Sequence, residues 1–429
     1  MLQPLRWSLP FLAAAAAVLG FANRSPAADW PQWRGPERDG VTAETGLLQS
    51  WPAEGPGRVW LSDQIGLGYG GPAVVADRIY LLGTRDEQEV LFCLQAADGD
   101  ELWAIELGEI YENDWGSGPR STPTVVEDRV YALAANGRLV CVDRTNGREV
   151  WSTTMQELGG ELPKWGYSES PLVLDGRVLC TPGGEQGALA ALDATTGKLL
   201  WQNDHNTQRA HYSSIVPWAP HGETVCVQLL VNEAVGFRPG DGTVLWTSAW
   251  PGRVAVVPTP ILRGDRVYVT SGYGTGCMAV DVSAENEVTE AYENKTMVNH
   301  HGGTILLGGH VYGYSDGKGW VCQDFESGER VWREREALGK GAIAYADGRF
   351  YCQSEDEGDI VLIAASHEGW QEHGRFTLDP QSEQRASRGK VWTHPVVAGG
   401  RLYLRDQEYF HCFDISDGGV RVGSGATGR

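Results

Sequence analysis

The residues best suited to chemistry in this 429-residue chain are cationic and aromatic, and they fall in short, recurring clusters. Tyr69 sits in Leu67-Gly68-Tyr69-Gly70, and Trp115 follows Asn113-Asp114 with Arg120 five residues on. Trp165, Tyr167 and Glu169 share the stretch Lys164-Trp165-Gly166-Tyr167-Ser168-Glu169, and His211 and Tyr212 follow Arg209-Ala210. Arg253 and Lys340 stand singly, His301 follows Asn299-His300, and Arg388, Lys390, Trp392 and His394 share one run. Converged on one site, these side chains suit an anionic or planar ligand, through cation–aromatic contact and charge-assisted hydrogen bonds. The competing reading is that the rings fill gaps between packed sheets and the charges form a solvated rim.

Signals for covalent or metal chemistry are weaker. His300-His301-Gly302-Gly303 resembles an oxyanion loop, yet the chain has no Gly-x-Ser-x-Gly elbow to use it. Gly66-Leu67-Gly68-Tyr69-Gly70-Gly71 and Gly272-Tyr273-Gly274-Thr275-Gly276 echo a dinucleotide fingerprint without a following helix, so they read as turns. Adjacent strand residues point to opposite faces, so at most one of His300 and His301 is expected to face a shared site. Asp356, Glu357 and Asp359 read as a solvated hairpin tip, too few oxygen ligands for calcium. No catalytic residue and no metal ligand is assigned.

What positions the clusters is a repeat. Asp143, Gly147 and Trp151 set a spacing of Asp, Gly four later and Trp eight later. It returns at Asp193, Gly197, Trp201 and at Asp324, Gly328, Trp332, and with one substitution at Gln95, Gly99, Trp103 and Arg238, Gly242, Trp246. A second motif lies half a period away: a Pro-led run of alternating apolar residues, a polar turn and an Arg-x-Tyr strand. Copies begin at Pro72, Pro123, Pro260 and Pro395, with looser ones at Pro171, Pro217, Gly303 and Gly341. Alternation around Asp-Gly turns is antiparallel hairpin chemistry. Four strands per period of roughly 40–50 residues, repeated radially, make a propeller blade.

The fold class expected is therefore all-β, an eight-bladed β-propeller of four-stranded antiparallel blades. The eighth unit reaches Asp414 and Gly418 without its Trp, and Gly57-Arg58-Val59-Trp60 matches the missing strand. Trp60 is expected to complete that blade and close the ring, leaving no open sheet edge. The clusters precede the first strand of each blade and so lead to the central channel and one face, the usual ligand position in such an array.

Outside the repeat, Arg6 precedes an apolar run from Leu9 to Ala22 with Ser25-Pro26-Ala27 behind it, which reads as a cleaved signal peptide over 1–28. The run is short for a membrane anchor and is interrupted by Pro10. No Cys follows it to carry a lipid. Residues 29–54, opening Asp29-Trp30-Pro31-Gln32-Trp33-Arg34-Gly35-Pro36, are expected to lie extended over one face with their rings on apolar surface. The propeller spans 55–420 and a Gly-rich frayed tail 421–429. A net charge of −21 excludes nucleic-acid binding through bulk electrostatics. Of eight cysteines, Cys93, Cys141, Cys322 and Cys412 hold one equivalent place, a blade apart and beyond the ~7 Å Cα reach of a disulfide, so they read as small buried hydrophobes.

The Asp/Gly/Trp spacing is similar to the tryptophan-docking repeat of pyrroloquinoline-quinone (PQQ)-like eight-bladed propellers, and the Trp-x-x-Trp-Arg-Gly-Pro opening resembles that of secreted bacterial proteins with this repeat. The resemblance implies that each Trp packs on the Gly turn of the next blade. That family holds quinoprotein alcohol dehydrogenases and non-catalytic scaffolds such as the assembly factor BamB. In the dehydrogenases, the resemblance implies, PQQ lies between a Trp and a ring of two adjacent cysteines, with Ca²⁺ and a catalytic Asp beside it. This chain has no adjacent Cys pair, and Glu169 and Asp114 are its best-placed acids. No cofactor is expected. The function expected is an exported, monomeric, non-catalytic scaffold, periplasmic or secreted, that binds an envelope protein partner or a small ligand in the channel. A PQQ- and Ca²⁺-dependent alcohol dehydrogenase and an extracellular glycan or small-molecule binder are the alternatives.

Overall fold

In the repeats that keep it, the Asp organises the turn. The Oδ1 of Asp143 accepts the amide of Thr145 (2.9 Å), that of Asp193 accepts Thr195 and Thr196, and that of Asp324 accepts Glu326 and Ser327. The turn then closes from the Gly amide back to the Asp carbonyl, as in Gly147 to Asp143 (2.9 Å). Gly147 sits at φ +72°, where a side chain is strained, and a Cβ there would come within 2.6 Å of the Trp103 ring. Conformation and space both require glycine.

The structure, a computed structural model, describes residues 28–418. They form eight four-stranded antiparallel sheets and no helix. Blades 1 to 7 span 73–109, 124–154, 172–203, 216–249, 261–294, 304–334 and 341–377. Blade 8 takes three strands from 396–414 and its outer strand, Gly57–Ser62, from the start of the chain, with Trp60 opposite Cys412. The expected ring closure is therefore present. Arg405 reinforces it: its buried guanidinium donates to the carbonyls of Gly66, Gly70 and Leu82, across the seam between blades 8 and 1.

Register explains the cysteines. In blade 2, Thr124 pairs with Tyr131, Tyr131 with Cys141, and Cys141 with Trp151, one row across the sheet. The small thiol lets the rings on either side meet above it, at 6.0 Å between Tyr131 and Trp151. Rows ending Tyr80-Cys93-Trp103, Tyr312-Cys322-Trp332 and Tyr403-Cys412-Trp60 repeat the arrangement. All eight cysteines are free and buried, and burial pushes the Cys141 thiol up to about 11.

The row's Trp also reaches the next blade. The indole N–H groups of Trp60, Trp103, Trp151 and Trp201 donate to the carbonyls of Ala96, Arg144, Ala194 and Pro239, with each ring over the Gly of that turn. Tyr292 replaces Trp in blade 5 and donates to Phe325 O, and Trp332 donates to Ser366 O. Trp246 departs from the pattern. The blade 5 turn carries no Gly there, so its ring lies over Gly236 of its own blade, and Trp218 makes the bond to blade 5 through Gly264 O.

Residues 29–44 sit across the propeller axis and touch every blade. Trp30 N donates to Val74 O, Val125 N to Pro31 O, and Tyr345 N to Gly40 O. Arg38, 1% exposed, donates to the carbonyls of Ser170, Pro171 and Ile215. Arg34 donates to Thr304 O, Trp33 to Thr259 Oγ1 just ahead of blade 5, and Glu44 accepts the amide of Gly400 in blade 8. Burial lowers both arginines to about 10, which leaves them charged at neutral pH, each charge dispersed over backbone oxygens. The leader expected over 1–28 lies, but for Ala28, outside the described residues, as does the tail beyond 418.

Candidate functional site

The segments preceding the first strands converge as expected on one mouth, and with the axial segment as floor they enclose a pit of about 230 Å³. Trp33 forms part of that floor, its ring 4.7 Å from that of His394. The wall carries a continuous run of rings. Tyr273 meets His300 edge-on at 4.4 Å, His300 stacks on His301 at 3.7 Å, His301 contacts Trp392 at 4.7 Å, and Trp392 contacts Tyr69 at 5.2 Å. Across the pit Trp165 packs on Tyr212 at 5.7 Å. Hydrogen bonds tie these loops to one another: Tyr69 OH to Trp115 O, Thr393 Oγ1 to Tyr69 O, and Tyr111 OH to Lys164 O. The mouth is thereby held by several blades at once.

Arg120 is the charged residue in the lining, and no carboxylate shares it. Its guanidinium donates to the carbonyls of Gly116 and Gly118 and lies 5.4 Å from the Tyr69 ring centroid. Burial lowers its pKa. The histidines are neutral: burial pulls His300 and His394 down to about 3 and His301 well below its ordinary value. Lys340 Nζ, a donor only, lies 2.9 Å from His300 Nδ1, which places the His300 proton on Nε2.

Of the residues singled out from sequence, Tyr69, Trp115, Arg120, Trp165, Tyr212, His301, Trp392 and His394 line the pit. The others do not. Tyr167 packs in the core between blades 2 and 3, and Glu169 accepts hydrogen bonds from Thr181 and Gln228, so the neighbours of Ser168 point away while Ser168 itself lines the pit. His211 accepts the amide of Val256 and so holds a loop. Lys340 is paired with Asp316 and Lys390 with Asp356, while Arg253 and Arg388 are exposed on the mouth, Arg388 over Trp115 at 5.5 Å. The expectation that only one of His300 and His301 faces the channel fails. His300 lies outside any strand and residues 301–302 form a bend, so strand alternation does not apply and both rings line the pit. Trp33 and Tyr273 were legible only as packing or turn residues.

Calcium asks for six to eight oxygen ligands. The pit offers the hydroxyls of Ser168, Ser214 and three tyrosines and no carboxylate, so the lining does not supply the donor set of a Ca²⁺ ion. Among the described residues no group of three His, Cys, Asp or Glu is placed to hold a metal. No helix of the described residues is long and apolar enough to cross a membrane.

Comparison with known proteins agrees with the fold. The profile of the PQQ-like family described as "Outer membrane protein assembly factor BamB" matches residues 44–160 and 86–334. BamB of Moranella endobia (strain PCIT) is 24% identical over 238 residues, 47% of this chain and 60% of that protein. Quinohemoprotein alcohol dehydrogenase ADH IIB of Pseudomonas putida is 33% identical over 119 residues, 26% of this chain and 17% of that protein. The matches thus span less than two thirds of either relative. The crystal structure of BamB from Moraxella catarrhalis superposes with a TM-score of 0.59 at 14% identity, over 80% of this chain and 96% of that one. Quinohemoprotein alcohol dehydrogenase from Comamonas testosteroni gives 0.61 at 12% identity, over 95% and 83%. These likenesses show the fold. With eight four-stranded blades, six of them carrying the row's Trp, and a family profile matched from residue 44 to residue 334, this chain belongs to the PQQ-like, BamB-type propeller family.

Proposed function

We propose that this chain is an exported scaffold of the bacterial envelope that performs no chemistry and docks a protein partner on the loop face around the pit. The observation that carries the reading is an apolar collar on a rigid ring. Of ten exposed large apolar side chains among the described residues, six lie on the outer strands of blades, and the other four, Trp115, Leu162, Val254 and Tyr273, at 40%, 42%, 51% and 40% exposure, lie on loops of the pit side. Large apolar side chains grouped on one face of a soluble surface are the usual mark of a docking site. Family membership with an outer membrane protein assembly factor supports the same role. A leader over residues 1–28 and export to the envelope belong to this reading. The lack of calcium donors in the pit weighs against the dehydrogenase alternative.

Crosslinking and pull-down from a native envelope fraction test it, with a Val254→Asp, Trp115→Ala double variant as control. One or a few specific proteins are expected with the parent and lost with the variant, while the unfolding temperature of the two stays alike. Recovery of the same proteins by both, or of none by the parent, contradicts the reading.

A further inference from the structure

The pit has features that a protein-docking face does not need. A flat collar suffices for a partner surface, yet here the collar surrounds a recess lined mostly by rings with a single guanidinium in it. At about 230 Å³ it is below the ~300–1,000 Å³ of ordinary ligand pockets, room for a group of one or two rings. The absence of any carboxylate in the lining disfavours a cation, and a single cation disfavours a polyacid. Arg120 keeps its charge available, because its guanidinium donates to the neutral carbonyls of Gly116 and Gly118.

We propose that the pit binds one aromatic ring system bearing a single carboxylate, the ring among Tyr69, Trp392 and His301 and the carboxylate on Arg120. Offset and edge contacts to those rings supply shape selection, and the guanidinium supplies charge selection. The neutral state of His300, His301 and His394 leaves Arg120 as the lone charge facing the ligand. On the rim, Lys164 lies 4.7 Å from the Trp165 centroid and Arg388 over Trp115, so an acidic molecule of net charge −21 presents a locally cationic entrance to an anion. The ring can belong to a free aromatic acid or to the C-terminal residue of a protein. The chemistry recognised is the same.

Isothermal titration of the full exported chain with indole-3-acetate, indole-3-acetamide and tryptamine tests the charge rule. The acid is expected to bind, the amide to bind roughly 10- to 100-fold more weakly, the worth of a charge-assisted hydrogen bond, and the amine not at all. Arg120→Met removes the difference between acid and amide. Tyr273→Ser, at the exposed tip of the hairpin joining two strands of blade 5, weakens the acid with folding intact, so a misfolded Arg120 variant does not leave the question open. A Gly-Gly-Trp peptide with a free C-terminus, set against its amidated form and against indole-3-acetate, separates the sources. Tighter binding by the peptide assigns the ring to a protein terminus and tighter binding by the free acid to a small molecule, and either supports the proposal. Equal binding of acid and amide, or no binding of the acid at millimolar concentration, overturns it.

Discussion

Glu169 illustrates how a residue that looks like site chemistry serves the interior instead. It is 2% exposed and hydrogen-bonded to Thr181 and Gln228, and burial raises its pKa to about 7. Because the folded value lies above the unfolded one, its contribution to stability is complete below about pH 4.5 and is lost as pH rises through 7. The loss amounts to up to about 3 kcal/mol. Glu169→Gln, which keeps one of the two acceptor oxygens and cannot ionise, should therefore gain on the parent as pH goes from 5 to 8, read by urea unfolding at both pH values. Parallel stabilities at the two pH values would contradict this. Gly147 makes the opposite kind of residue-scale case, fully visible in the spacing. Gly147→Ala forces an L-residue to φ +72° against the Trp103 ring and should cost about 2 kcal/mol or more, measured as a fall in the urea midpoint. No change would mean the turn is not held as described.

At the scale of the element, the blade was legible because its signals are local. Asp, Gly and Trp fall within nine residues, and the Tyr and Cys that share their row repeat in register. The site was legible only in half. Whether a cation near the mouth is available depends on carboxylates distant in sequence, so the pairing of Lys340 with Asp316 and of Lys390 with Asp356 leaves no trace in the loop clusters themselves. Trp33 escaped for a related reason: it belongs to no repeat, so nothing in its neighbours says that it floors the channel. The strand Gly57–Ser62 was found because it copies a repeat motif at the wrong end of the chain. Trp60 lies 6.1 Å from Tyr403 and over Gly99 of blade 1, joining the two ends of the ring. Trp60→Ala should lower stability by about 3–5 kcal/mol, the usual cost of emptying a buried indole, seen in denaturant unfolding. A loss under about 1 kcal/mol would show that the last blade closes without it.

For the whole molecule, the first thirty-odd described residues do two jobs. Residues 29–44 join all eight blades across the axis, and 57–62 complete the eighth sheet, so both the pit floor and the ring seam depend on the same stretch of chain. This couples the candidate site to global stability, because the floor cannot leave without breaking bonds to blades on opposite sides. Hydrogen exchange resolved to peptides tests that coupling most directly. Peptides covering 29–62 are expected to exchange as slowly as those covering Tyr409–Asp414, and both should open in a single cooperative step. Rapid exchange of 29–62 with the eight sheets still protected would contradict it.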